Sequence, residues 1–411
     1  MKKRIMEKIM GLIILLIFIV MWLTGCLTPV SLDAYGYVIS IGVDRGTEKK
    51  YYITLSLQRE LSEQGAESDG GAAILAAEAD CLDEALNEIE GNVPYSLSFS
   101  RTNYFLFSRE VAESGDIEDF LSLSFDSLKI RTSAAMIITE GSVFEFVGGL
   151  SANNDANIKK LQEAVMLDME KNGMIAMMSI SRLFEANKDG SFDYCAALGR
   201  FDESIITDME EKKTESEGKN PLGNIKLGDR VGGLKSFMSG AAVFSGYRMT
   251  ETLTRDETMY LNMACGDYKN GTVSIPFFQN GEELGMVTLI LSKQHIGRRV
   301  IINEDGSIRA EVDIRLAAGT HAKPDEANQT EMEHWINETA VNCIRQKLND
   351  VFIKCRDAGS DAMRFGTEAI KLFRSDAEWK EFDWKSRYGS VEAVFNVELI
   401  NTDKGTSGDM Q

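Results

Sequence analysis

The chain has 411 residues, 44% of them hydrophobic and 26% charged, with a formal net charge of −20. That length holds two or three domains of ordinary globular composition. So acidic a balance excludes a nucleic-acid partner, which requires a basic footprint, and disfavours broad electrostatic adhesion to anionic lipid.

The start departs from the rest. Lys2, Lys3, Arg4 and Lys8 stand against Glu7, residues 9–23 are apolar, and Leu23-Thr24-Gly25-Cys26 follows. A positive flank, an apolar core and a small residue before the cut are the marks of a secretory signal. With Cys26 next, the pattern is that of a bacterial lipobox. Cleavage before Cys26 frees its amine, and its thiol takes lipid of the palmitate kind. Two acyl chains bury twice the CH₂ groups of one and anchor better. The alternative is an uncleaved span, because no charge falls between Lys8 and Asp33 and about 20 apolar residues cross a bilayer. Thr24, Gly25, Thr28, Pro29 and Ser31 weaken its last third. Loss of residues 1–25 removes four basic residues and one acidic residue, so the mature chain carries −23. Lipid then has to hold the protein on the membrane.

Residues 37–43 read as a strand, 44–46 as a turn and 51–58 as a second strand, alternating Tyr51, Ile53, Leu55 and Leu57; together they predict a β-hairpin. Residues 60–71 are rich in Ser, Gly and Glu and read as a loop. Helical spacing over 72–89 closes at Gly91, a strand covers 103–107, a helix 111–123, and a strand ends the stretch 128–139. Helical spacing returns over 157–168 and again from Met174 to Phe184, and 193–201 reads as a strand. The methionines there suit a helix face packed on a core. Residues 207–221 are charged throughout, with no apolar face to bury, and read as a linker. Further on, 240–244 is a strand. A helix over 254–263 has Thr254 as its N-cap and Glu257 three residues later, a capping box. Strands follow at 272–278 and 286–293, and 298–303 faces 308–315 across Glu304-Asp305-Gly306 as a hairpin. The clearest helix spans 326–355, with Trp335, Ile336, Ala340, Ile344, Leu348, Val351 and Phe352 on one stripe and acids at its start. Helical turns at 367–373, then Trp379 and Trp384, precede an alternating strand over 391–399.

These elements predict an α+β protein, a multi-domain ectodomain of mixed sheets with packed helices. The expected divisions are a signal peptide over 1–25, an N-terminal α/β region over 26–205 with two subdomains breaking near 150, a charged linker or surface loop over 206–235, a C-terminal α/β domain over 236–402, and a polar tail over 403–411.

Chemistry is sparse. Beyond Cys26, Cys81, Cys195, Cys265, Cys343 and Cys355 are odd in number and form no C-x-x-C pair, so neither zinc nor redox chemistry is suggested. They read as small buried apolar side chains. His295, His321 and His334 form no metal-binding pattern. Asp189-Gly190 and Asp305-Gly306 lie in acidic contexts but do not complete a calcium loop and read as turns. No nucleophile elbow or phosphate loop is present. No catalytic, metal or cofactor residue is assigned, and Cys26 alone has a chemical role.

The order of motifs adds a resemblance. The lipobox, Ile41-Gly42-Val43-Asp44, the helix-to-strand stretch 82–107, Asp119-Phe120-Leu121, Lys129-Ile130-Arg131, Gly240-Ala241-Ala242-Val243-Phe244, the long helix ending Asp350-Val351-Phe352, Trp379-Lys380, Trp384 and the final strand follow one another as in the Ger(x)C family of spore germination lipoproteins, the C subunits of nutrient germinant receptors. The chain resembles that family over most of its mature length. It departs over 207–233 and at Leu27-Thr28-Pro29, which replaces a tryptophan-bearing start. The resemblance implies three mixed α/β domains and a non-enzymatic subunit. It would act with integral membrane A-type and B-type subunits, lipid-anchored on the outer face of the spore inner membrane. Two other classes remain open: an extracytoplasmic solute-binding lipoprotein of an importer, and a secreted hydrolase.

Overall fold

The structure is a computed structural model and describes residues 10–11, 35–58, 73–128, 130–152, 167–168, 171–201, 236–279, 282–324 and 334–402. Among them the strands form one ten-stranded and one four-stranded sheet, and helices pack on both. The fold class is α+β, as the sequence predicts. Cys26, the loop 60–71, most of 157–168, the charged stretch 206–235, the start of the long helix and the tail lie outside the described residues.

The hairpin of β1 (Tyr35–Arg45) and β2 (Tyr51–Gln58) forms with Val43 opposite Ile53 and Arg45 opposite Tyr51. Tyr51, Ile53, Leu55 and Leu57 are wholly buried, as their alternation demands. Ser40, Thr54 and Ser56, on the opposite face, are buried too, because helices cover both sides of this sheet.

The helix expected over 72–89 is corrected. Its first half is an edge strand, β3 (Ala73–Ala79), paired antiparallel with β2, and α1 (Leu82–Glu90) begins only afterwards. Ala-rich sequence reads as helix by propensity, but here its main chain meets the otherwise unpaired donors and acceptors of β2. Two short strands follow, β4 (Ser96–Ser98) and β5 (Tyr104–Ser108), both parallel to β1. The single helix expected over 111–123 is two, α2 (Arg109–Ser114) and α3 (Ile117–Leu128). They are broken at Gly115, whose φ of 88° only glycine adopts readily.

β6 (Ala135–Thr139) lies parallel to β5. α4 (Val143–Ala152) then covers the face of the sheet opposite α1 to α3, burying Val143, Phe146, Val147 and Leu150. Gly42 lets α4 approach: a Cβ there would stand 2.5 Å from Val143 Cγ1. Two residues later Asp44 caps the same helix. Its carboxylate accepts from the Val143 and Phe144 amides at 2.8 and 3.2 Å and from the Ser142 hydroxyl at 3.3 Å. The carboxylate thereby satisfies orphan amides of a helix N-terminus 99 residues away along the chain.

The helical reading of Met174 to Phe184 holds only from its middle. β7 (Met178–Ser179) pairs with β6, and α5 (Ile180–Asp189) starts with Ser179 as its cap. β8 (Cys195–Phe201), β9 (Ser236–Ser245) and β10 (Arg248–Thr254) complete the first sheet in the order β10-β9-β8-β6-β5-β1-β2-β3. β10 is not evident from the sequence, because only Met249 and Leu253 of its polar run are buried. The change from one sheet to the other therefore falls after residue 254, and β6 and β8, either side of residue 150, are neighbours.

α6 (Arg255–Cys265) opens with the expected capping box: Thr254 Oγ1 accepts from the Glu257 amide, and Glu257 Oε2 accepts from the Thr254 amide. The second sheet runs β11 (Asn270–Gln279), β12 (Glu282–Ile302), β13 (Ile308–Ala322), β14 (Val391–Asn401). The two strands expected over 286–303 are one, β12, because the irregularity between Lys293 and His295 shifts the register without ending the ladder. The turn at Gly306 forms the predicted hairpin, and β14 lies parallel to β13. A parallel neighbour needs a crossover. A π-helical turn at Ile336–Ala340 leads into α7 (Val341–Asp357), which buries Ile344, Leu348, Val351 and Phe352 on the sheet. Short helices α8 (Gly366–Ala369), α9 (Asp376–Phe382) and α10 (Trp384–Arg387) return the chain to β14.

Candidate functional site

Cys26, the one residue with a sequence-assigned role, lies outside the described residues, and no helix among those described is long and apolar enough to cross a membrane. No group of three or more metal-binding side chains occurs among them. Asp305 is turned onto its own loop, accepting from the amide and hydroxyl of Ser307 at 2.9 and 2.7 Å, and Gly190 and Gly306 take left-handed conformations, as the turn reading requires. Cys195 and Cys355 are buried, whereas Cys81, Cys265 and Cys343 are half-buried; all five are free thiols. Burial pushes the thiols of Cys195 and Cys355 well up, so they are not nucleophiles.

The most organised polar cluster sits where the two sheets meet, and the sequence did not point to it. Asp361, 2% exposed, follows α7. Its carboxylate accepts from the Phe365 and Gly366 amides at 2.8 and 2.7 Å and from Trp384 Nε1 at 3.0 Å. Asp193, just before β8 of the first sheet, accepts from the Asp361 amide at 3.0 Å and from the Gly246 amide, in the β9–β10 turn, at 2.8 Å. Ser360 donates to the Phe244 carbonyl. Lys385 stands 3.7 Å from Asp193. Arg364 ties the same loop to the end of α6 through the Cys265 carbonyl and Asp267. Burial, with a smaller contribution from Asp193, raises the Asp361 carboxyl to about 7 against the pull of its three donors.

A cavity of about 140 Å³ borders this seam, lined by Asn187, Asp193, Asp361, Trp384, Lys385 and Tyr388. It has room for a few waters of about 30 Å³ each. Every carboxylate oxygen of Asp193 and Asp361 is engaged by a protein donor. The arrangement can therefore hold the two sheets in register. Another concavity is an open groove on the second sheet, bordered by Arg345 of α7, in which Arg315 pairs with Glu398 at 2.6 Å and the Asn396 amide donates to Asp313 at 2.8 Å.

Comparison with known proteins decides the family. The family model described as "Spore germination protein N-terminal domain" matches residues 29–198, and "Spore germination B3/ GerAC like, C-terminal" matches residues 239–402. The chain belongs to the GerAC-like family of spore germination proteins. Of solved structures, the one titled "Crystal Structure of the GerBC protein" matches with a TM-score of 0.52 at 10% identity, covering 88% of this chain and 97% of that one. That likeness is one of fold. No curated protein sequence matches the chain.

Several residues that carry the resemblance to this GerAC-like family now have physical roles. Gly42 and Asp44 of Ile41-Gly42-Val43-Asp44 seat and cap α4. Ile130 is buried while Arg131 is exposed. Gly240 to Phe244 form the middle of β9, and Trp379 and Trp384 stack at 6.0 Å beneath the Asp361 loop.

Proposed function

We propose that the protein is a non-catalytic subunit of a nutrient germinant receptor. It is anchored on the outer face of the spore inner membrane by lipid on Cys26 and serves assembly or signalling with integral membrane A-type and B-type subunits. The observation that carries this reading is the pair of family matches, which begin at residue 29, immediately behind the lipobox. The geometry is consistent with it: the buried Asp193 and Ser360 are spent on joining two sheets. The importer alternative is less well served, since the cavity at the seam is about 140 Å³ and the roomier groove, about 480 Å³, is open and has Arg315 paired with Glu398 and Asn396 with Asp313.

Replacing Cys26 with Ala tests the anchor, and deleting the gene tests the role. Spores carrying Cys26→Ala should hold the protein off the membrane fraction and lose nutrient germination while growth stays normal. Full membrane retention of that variant would return the reading to an uncleaved span or to retention by partners. A deletant that germinates normally on every nutrient would end the receptor reading.

A further inference from the structure

The first sheet has two unlike edges. β1, β4, β5 and β6 run parallel, so their starts share one edge and their ends the other. Beyond the ends stand Asp80, Glu84, Glu110, Glu113, Asp119 and Glu140, which outnumber the nearby Arg45, Lys49, Lys50 and Arg109. The starting edge is different. Tyr35 and Tyr37 lie 6.5 Å apart at the head of β1, and Arg101 covers the Tyr37 ring at 4.0 Å. The Tyr95 ring lies against Gly36, where a Cβ would meet it at 2.6 Å. Arg131 is exposed just ahead of β6. Arg182 is exposed beside it, since the amides of Ile180 and Ser181 bond the carbonyls of Ala134 and Thr132. Among the described residues, the carboxylates on this side include Glu88 and Glu90 at the end of α1, where Glu90 accepts from the Leu97 amide, and Asp193 ahead of β8, which is already engaged by the Gly246 and Asp361 amides.

The path of the chain says what meets this edge. Cys26 and Tyr35 are nine residues apart, so the head of β1 stays within about 32 Å of the lipidated cysteine. β1 itself, at ~3.3 Å per residue, sets the acidic edge about 33 Å further along, several Debye lengths of ~8 Å away. Tyrosine offers an apolar body with a polar tip suited to the headgroup layer, and the arginine fork matches lipid phosphate.

We propose that the starting edge of the first sheet rests on the membrane, with Tyr35, Tyr37 and Tyr95 at headgroup level and Arg101, Arg131 and Arg182 on the phosphates of anionic lipid. This orientation rests on lipidation of Cys26, and it turns a strongly acidic protein so that its acidic edge points away from the bilayer.

Hydroxyl-radical footprinting of the full-length lipidated protein tests it, in phosphatidylglycerol–phosphatidylethanolamine vesicles against detergent micelles. Tyr35 and Phe144 are 40% and 42% exposed and lie on opposite edges, so each is the control for the other. Oxidation of Tyr35 should fall by more than half in vesicles while that of Phe144 stays constant. The double variant Arg101→Glu, Arg131→Glu should lose the Tyr35 protection yet still float with the vesicles. Its unchanged Phe144 oxidation reports that it is folded. Protein that floats without Tyr35 protection, or that protects Phe144 instead, overturns the orientation. Protection that appears only when membrane subunits are added assigns the edge to a protein partner and overturns it as well. Protein that fails to float at all overturns the lipid anchor, a separate result.

Discussion

The Asp361 carboxyl sets a pH dependence that can be worked from its surroundings. In the unfolded chain it ionises near 3.8, whereas burial in the folded protein raises it to about 7. Between those values the folded state keeps a proton that the unfolded state has released. Its contribution is therefore full below the unfolded value, declines as pH rises, and is gone above the folded value. Each unit corresponds to about 1.4 kcal/mol, and the folded group is half ionised at its own value, so moving from about pH 5 to about pH 7 should cost roughly 2 kcal/mol. Asp44, also raised by burial, adds a slope of the same sign. Carboxylates held low by their donors, such as Glu78 and Asp80, are ionised in both states across this range and add none. The titratable groups facing Asp361 include Asp193, Lys385, Tyr388 and Cys355. Denaturant titration followed through tryptophan emission reads the change, because Trp384 donates directly to Asp361. Asp361→Asn should remove most of the slope. It should also lower stability at acid pH by about 1–3 kcal/mol, since its amide nitrogen would face the Phe365 or Gly366 donors. Wild-type stability that is flat or rising from pH 5 to pH 7 would refute the argument.

Three further outcomes follow from the same contacts. Gly42→Val drives a side chain into Val143 and should cost about 1–3 kcal/mol, read as a lowered Tm. Asp44→Ala leaves the first amides of α4 uncapped and should cost about 2 kcal/mol by denaturant titration, with the hairpin of β1 and β2 still formed by circular dichroism. Trp384→Phe keeps the ring but deletes one of three donors to Asp361. The carboxyl should then titrate higher and the loss of stability extend to higher pH; no displacement would mean that the indole bond does not govern it.

Local signals carried the fold well. The capping box at Thr254 and Glu257, the hairpin at Gly306 and the alternation in β2 are all decided within a few residues, and each is present. Failures came where a distant partner overrode local preference. β3 is alanine-rich and looks helical until the free edge of β2 is known. β10 has too few apolar residues to announce itself, yet pairs with β9. β12 hides a bulge inside one long strand, which the polar Lys293 and His295 make look like an ending.

The seam was illegible for a sharper version of that reason. Asp44 reaches 99 residues along the chain, Ser360 reaches 116, and Asp193 reaches 168 to the Asp361 amide. In each case a side chain meets a backbone group. Main-chain donors and acceptors are the same at nearly every residue, so nothing in the sequence marks the receiving position. The acceptors look ordinary too, in a chain with 64 acidic residues. Yet the Asp193 and Ser360 bonds fix how the sheets sit together. Asp193 holds the β9–β10 turn and the Asp361 amide with one carboxylate, and the Asp361 side chain holds the loop that carries Trp384. Moving either sheet against the other must strip donors from a buried carboxylate, at a cost of about 1–3 kcal/mol for each bond left unmade. A joint of this kind couples the two sheets through side-chain and backbone groups of the chain itself.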